Sequence, residues 1–151
     1  MTRLILLLLT LLFSLSGPAM GDNGDFDRCC LAAKGTVVYR ELSAADRIAL
    51  DAGQPLMPKG TGGSILDHVR GQPTGHISVS ETAAGTARFT GGNGLVGIDI
   101  NAATAGGARY IPHPEVIEGV GGRVKQVQKV LESQEALFEG PIPAGAVRHI
   151  K

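Results

Sequence analysis

The chain has 151 residues, 43% of them apolar and 19% charged, with 14 Lys and Arg against 14 Asp and Glu. That length suits one domain, and the composition is too apolar and too weakly charged for a disordered chain, while 22 Gly and 8 Pro exclude a coiled coil and describe a loop-rich fold. A formal charge of zero with no basic stripe removes the attraction to phosphate backbones or anionic membrane surfaces on which nucleic-acid and lipid binders rely.

Arg3 precedes an apolar run from Leu4 to Leu15, and Ser16-Gly17-Pro18-Ala19-Met20-Gly21 then supplies a helix break and small residues suited to cleavage. Residues 1–21 therefore read as a secretory signal peptide, which predicts a secreted chain starting at Asp22. Its apolar run is shorter than the roughly 20 residues a spanning helix needs, so no membrane span is expected in the mature chain. Residues 22–35 form a polar segment holding the adjacent cysteines Cys29 and Cys30. A bond between neighbours is strained and closes almost no loop, so in an oxidising compartment either cysteine is better suited to bonding another chain or a delivery partner. Two cysteines and no His cluster give no support to a metal site.

From residue 36 onward the pattern is that of an α+β domain with short elements. Thr36 to Tyr39 reads as a strand ending in Arg40, followed by a helix capped by Ser43, with Asp46 three residues on, running through Asp51. Gln54 to Gly63 reads as loop, and Ser64 caps a short helix from Ile65 to Arg70. His76 to Ser80 alternates as a strand, with Ile77 and Val79 on one face and Ser78 and Ser80 on the other. Glu81 to Phe89 is expected to be a helix weakened by Gly85, Leu95 to Ile100 a strand, and Asn101 to Arg109 a Gly/Ala loop leading into Tyr110-Ile111-Pro112-His113-Pro114. Val124, Val127, Val130 and Leu131 recur at helical spacing within Arg123 to Leu131. Ala136-Leu137-Phe138 begins a strand, Gly140-Pro141-Ile142-Pro143 turns it, and Val147 to Ile150 is a last strand in a small, mostly antiparallel sheet.

Taken singly, Arg40, His68, Ser78 and Glu135 are ordinary residues; their order carries the functional argument. Val38-Tyr39-Arg40, Leu56-Met57-Pro58-Lys59-Gly60, Asp67-His68-Val69-Arg70-Gly71, His76-Ile77-Ser78-Val79-Ser80 and Gln134-Glu135-Ala136-Leu137-Phe138-Glu139-Gly140-Pro141-Ile142-Pro143 occur in that sequence. This order resembles the catalytic A subunit of the cholera and heat-labile enterotoxin family of ADP-ribosyltransferases. The family opens with a Tyr-Arg strand, continues through a Leu-Met-Pro-basic-Gly loop, an Asp-His-x-Arg-Gly helix end and a Ser-Thr-Ser strand, and closes with Glu-x-Glu before a strand and an Ile-Pro turn.

The resemblance spans Thr36 to Ile150 and implies a compact ADP-ribosyltransferase-like α+β fold over residues 36–151. It further implies that NAD is the co-substrate, that Arg40 grips it, that Ser78 is the first serine of the central strand motif, that His68 lies beside the nucleotide, and that Glu135 is the catalytic glutamate. The residue types suit those roles. A planar guanidinium meets pyrophosphate oxygens with paired hydrogen bonds that Lys cannot reproduce, and a carboxylate at the sugar stabilises the positive charge that develops as the nicotinamide–ribose bond breaks. Phe89 and Tyr110 are the aromatic candidates for a wall against nicotinamide. The acceptor implied is a host macromolecule, a protein first among them.

Three positions depart from the family pattern. Ser133 stands where arginine-modifying members carry the first Glu of Glu-x-Glu, with Glu132 one residue before it and Gln134 one after. Val79 replaces the Thr of Ser-Thr-Ser, and Leu42, next to Glu41, stands where an acidic residue often follows the arginine. A rival carboxylate pair lies at Glu115 and Glu118, after Pro112-His113-Pro114, but only Glu135 precedes an apolar strand and an Ile-Pro turn. Loss of the first Glu keeps a glycohydrolase, with water as acceptor, as an alternative, and a binding module without activity as another.

Overall fold

A computed structural model describes residues 36–89 and 91–150. The signal peptide, Cys29 and Cys30 lie outside the described residues. The elements in chain order are β1 (Val37–Glu41), α1 (Ala44–Asp51), α2 (Ile65–Val69), β2 (His76–Ser80), a 3-10 turn (Ala84–Arg88), β3 (Leu95–Asp99), α3 (Ile100–Ala105), β4 (Arg109–Ile111), α4 (His113–Gly119), α5 (Val124–Ser133), β5 (Glu135–Glu139), a second 3-10 turn (Ala144–Ala146) and β6 (Val147–His149). The strands make one six-stranded sheet in the order β4-β5-β2-β1-β3-β6, antiparallel throughout. The α+β class is as expected. No helix among the described residues is long and apolar enough to cross a membrane.

Both capping boxes form as the Ser-x-x-Asp spacing demands. Ser43 accepts from the Asp46 amide while Asp46 accepts from the Ser43 amide, and Ser64 and Asp67 repeat the arrangement on α2. The sheet separates two apolar clusters. Val38, Ile77, Val79, Val96, Ile98, Ala136 and Phe138 line the larger one with Leu42, Leu56 and Ile142, while Ile111 and Leu137 join Val69, Val116, Val120 and Val130 beneath α2, α4 and α5. The β2–β5 register, with Ile77 opposite Phe138 and Ser80 opposite Glu135, sends alternate residues to opposite faces.

Several expected boundaries are corrected. Glu81 to Phe89 is not an α-helix: only a 3-10 turn forms over Ala84–Arg88, and Gly85 within it lies so close to β2 and the end of α5 that a methyl there would strike Ser80 Oγ and the Ser133 carbonyl. The supposed Gly/Ala loop from Asn101 to Arg109 is mostly α3, capped by the Asp99 side chain, and the Pro-His-Pro stretch opens α4, where Pro114 sits in the first turn and needs no N–H. Helix α5 extends to Ser133, and β5 begins at Glu135 rather than Ala136. Between them Gln134 is left-handed (φ 46°, ψ 45°), so the chain turns from helix into strand within one residue.

Candidate functional site

Strands β1 and β2 share a single bridge, Tyr39 opposite Ser80, and part beyond it. Arg40 spans the parting: its Nη1 donates to the Ser78 carbonyl at 2.7 Å and its Nη2 to Asp46 Oδ2 at 2.8 Å. The Oδ2 that holds Arg40 also accepts the Ser43 amide, so the cap of α1 and the guanidinium share one oxygen. Burial works to raise the Asp46 pKa, but the Arg40 charge and the bonds from Arg40 and Ser43 outweigh it and hold the carboxyl below its ordinary range. Arg40 Nε is buried and has no partner among the described residues.

From the other side, β5 delivers Glu135 next to β2. Ser78 Oγ donates to Glu135 Oε1 at 2.7 Å, and His68 Nε2, from α2, lies 2.8 Å from Ser78 Oγ and 4.0 Å from Glu135 Oε1. Glu135 is only 2% exposed, and its second oxygen, Oε2, has no partner among the described residues. Burial raises its pKa, opposed by the Ser78 bond and by the charges of Lys129 and His113. Burial also pushes His68 down to about 4, helped by His76, Lys129, Arg40 and Lys59, so the imidazole is neutral at pH 7.

Arg40, His68, Ser78, Phe89 and Glu135 all line one cleft of about 500 Å³. That size falls in the range of sites for small organic ligands. Lys59, Arg88 and Lys129 add cationic lining, which matches a ligand bearing phosphates. The cleft thus combines a cationic wall, an aromatic residue at Phe89, and two buried polar atoms, Arg40 Nε and Glu135 Oε2, that no other described residue satisfies. Tyr110 is not part of the cleft; its ring packs on Phe138 with centroids 5.3 Å apart and its hydroxyl bonds Glu81, and burial, reinforced by the Glu81 charge, raises its pKa.

The departures are explained by packing. Ser133 is fully buried with its hydroxyl donated to the Lys129 carbonyl, so the position two before Glu135 offers nothing to the cleft. Glu132 pairs with Arg88, and Gln134 accepts from Thr82. Leu42 and Val79 belong to the core. Glu115 and Glu118 lie on α4 outside the cleft, Glu115 near Arg109.

Three further residues join the network: Asp46 holds Arg40, Thr74 bonds His68, and Lys129 lines the cleft. Asp46 was visible as the third residue of a capping box, which gave no hint that it also holds Arg40. Thr74 lies in a loop and Lys129 on a helix of ordinary pattern, so only the fold brings them to His68 and the cleft. No metal-binding group of His, Cys, Asp and Glu occurs among the described residues. No protein-family model, curated protein or solved structure matches the chain.

Proposed function

We propose that the chain is a secreted, toxin-type mono-ADP-ribosyltransferase that cleaves the nicotinamide–ribose bond of NAD and transfers ADP-ribose to a host macromolecule. The observation that supports this reading most is the meeting of Arg40, Ser78 and Glu135, distant in sequence, in one cleft with unpartnered polar atoms at Arg40 Nε and Glu135 Oε2. The motif order alone would not require that meeting.

When bound, NAD supplies a leaving group that is already cationic and departs neutral. Arg40, anchored through both terminal nitrogens, presents its guanidinium to the pyrophosphate with its orientation fixed before binding. Phe89 gives the nicotinamide ring an aromatic face. Glu135, held through Oε1 by Ser78, directs Oε2 and its negative charge at the ribose, where positive charge grows as the bond to nitrogen breaks with its electron pair leaving on nicotinamide. Burial of the carboxylate away from water makes that attraction stronger than at the surface. An acceptor hydroxyl, amine or water then bonds the ribose carbon and loses its proton to Glu135 or to solvent.

The burial of Ser133 favours a second reading, an NAD glycohydrolase, because no carboxylate stands at that position to orient a guanidinium acceptor. One assay separates the two: nicotinamide release from NAD by wild type and Glu135→Ala, with and without cell lysate. Release that requires Glu135 and rises with lysate, with label appearing on a macromolecule, is the expected result. Release indifferent to lysate selects the glycohydrolase, and no release under either condition overturns both.

A further inference from the structure

We propose that Thr74 is a positioning residue that donates to Nδ1 of His68 and so stabilises the Nε2–H tautomer that Ser78 and Glu135 demand, completing a one-way chain of hydrogen bonds from Thr74 through His68 and Ser78 to Glu135. The inference rests on the proposed role of Glu135 as a carboxylate, and it follows from counting protons.

An ionised carboxylate only accepts, so the single Ser78 hydroxyl proton points at Glu135 Oε1 across 2.7 Å. Ser78 Oγ can then only accept from His68 Nε2, 2.8 Å away, which places the imidazole proton on Nε2. A neutral imidazole with Nε2–H has a bare Nδ1 that needs a donor. Thr74 Oγ1 lies 2.8 Å from Nδ1 and is the group that supplies it. In a neutral histidine the bond made by one nitrogen sets the state of the other, and the depressed His68 pKa keeps the ring neutral at pH 7.

The surroundings of Thr74 are built to hold that hydroxyl still. Thr74 is buried, its carbonyl accepts the Gly60 amide at 3.0 Å, and its methyl packs against Gly63, where a side chain would strike it. The hydroxyl oxygen in turn faces the His76 amide at 3.4 Å and His76 Nδ1 at 3.3 Å, two groups that can donate to it. The reverse arrangement, with Thr74 donating to His76 and His68 carrying its proton on Nδ1, would turn the Ser78 proton toward His68 and leave Oε1 of a buried carboxylate without a donor. That is the more costly alternative.

The test reads the tautomer directly by 15N NMR of the imidazole nitrogens at pH 7.5 in wild type, Thr74→Ser and Thr74→Val, with His68→Gln to assign the signals. The expected result is Nε2–H in wild type and Thr74→Ser, and a mixture with Nδ1–H in Thr74→Val. Should Thr74→Val not fold, Thr74→Ala carries the same reading. Nδ1–H in wild type, or an unchanged Nε2–H pattern without the hydroxyl, overturns the proposal. Nicotinamide release on the same samples is expected to fall about tenfold without the hydroxyl, the order of one lost hydrogen bond, and to be restored in Thr74→Ser. Absence of NAD turnover with the tautomer pattern intact overturns the proposed reaction and leaves the hydrogen-bond chain standing.

Discussion

On one face of the β2–β5 ladder Ile77, Val79, Ala136 and Phe138 pack into the main apolar cluster, while on the other His76, Ser80 and Glu135 are buried and Ser78 half-buried. The same two strands, read at period two, give one wholly apolar wall and one that carries a polar network beside Leu137 of the smaller apolar cluster. The apolar wall gains from area and volume without direction, so swaps of similar size are tolerated. The polar wall gains only when each donor meets its acceptor, and an unpaired group there costs more than its bond contributed. Substitutions on the two faces should therefore fail in different measurements.

The sharpest contrast is expected between Glu135→Gln and Phe138→Ala. The first should lower nicotinamide release by about 10³-fold, the scale of a lost charge contact to the reacting group, with the unfolding temperature held or raised. The second should reverse this, costing about 3–5 kcal/mol in denaturant unfolding with release per folded molecule unchanged. A Glu135→Gln protein that turns over NAD at the wild-type rate would break the comparison at its centre. Next in size, Arg40→Lys should raise KM for NAD about tenfold with kcat nearly kept, because Lys loses the fork that both anchors hold; an unchanged KM removes Arg40 from binding.

The pH dependence of stability sharpens the comparison further. The folded pKa of His68, about 4, lies below the usual 6.5, so the stability it contributes is present above 6.5 and lost as pH falls toward 4. Glu135 acts with the opposite sign: its folded pKa is raised, so its contribution is complete below 4.5 and is lost as pH rises through the folded value. Unfolding curves of His68→Gln should be flatter between pH 6.5 and 4, and those of Glu135→Gln flatter above 4.5, whereas Phe138→Ala should shift the whole profile without changing its shape. The smallest effect is expected for Ile77→Val, about 1 kcal/mol in stability and none in KM; a change in KM would show that the two faces are coupled.

Much of this arrangement was legible before the fold. The capping serines, the alternation of His76 to Ser80 and the valine spacing of α5 are local signals, and each produced its element. Helix α3 escaped because it is only 6 residues long and runs straight into Gly106 and Gly107, and α4 because a Pro in the first helical turn looks like a loop unless the turn is known to begin there. The 3-10 turn escaped because Gly85 answers to the Ser133 carbonyl, a contact across the chain rather than along it. Of the site, Arg40, His68, Ser78, Phe89 and Glu135 came from motif order, whereas Asp46, Thr74 and Lys129 come into reach only when β1, α2 and α5 surround one cleft.

The oxygen shared by Arg40 and the first turn of α1 has a consequence for motion. Because Asp46 Oδ2 accepts both the Ser43 amide and Arg40 Nη2, an excursion of the Asp46 carboxylate frays that helix end and releases one of the two anchors of the guanidinium together. The Ser43 amide is thus a reporter placed next to Arg40. Its hydrogen-exchange rate measures how often the Asp46 anchor opens, and a ligand that binds only the closed arrangement should slow that exchange in proportion to its saturation.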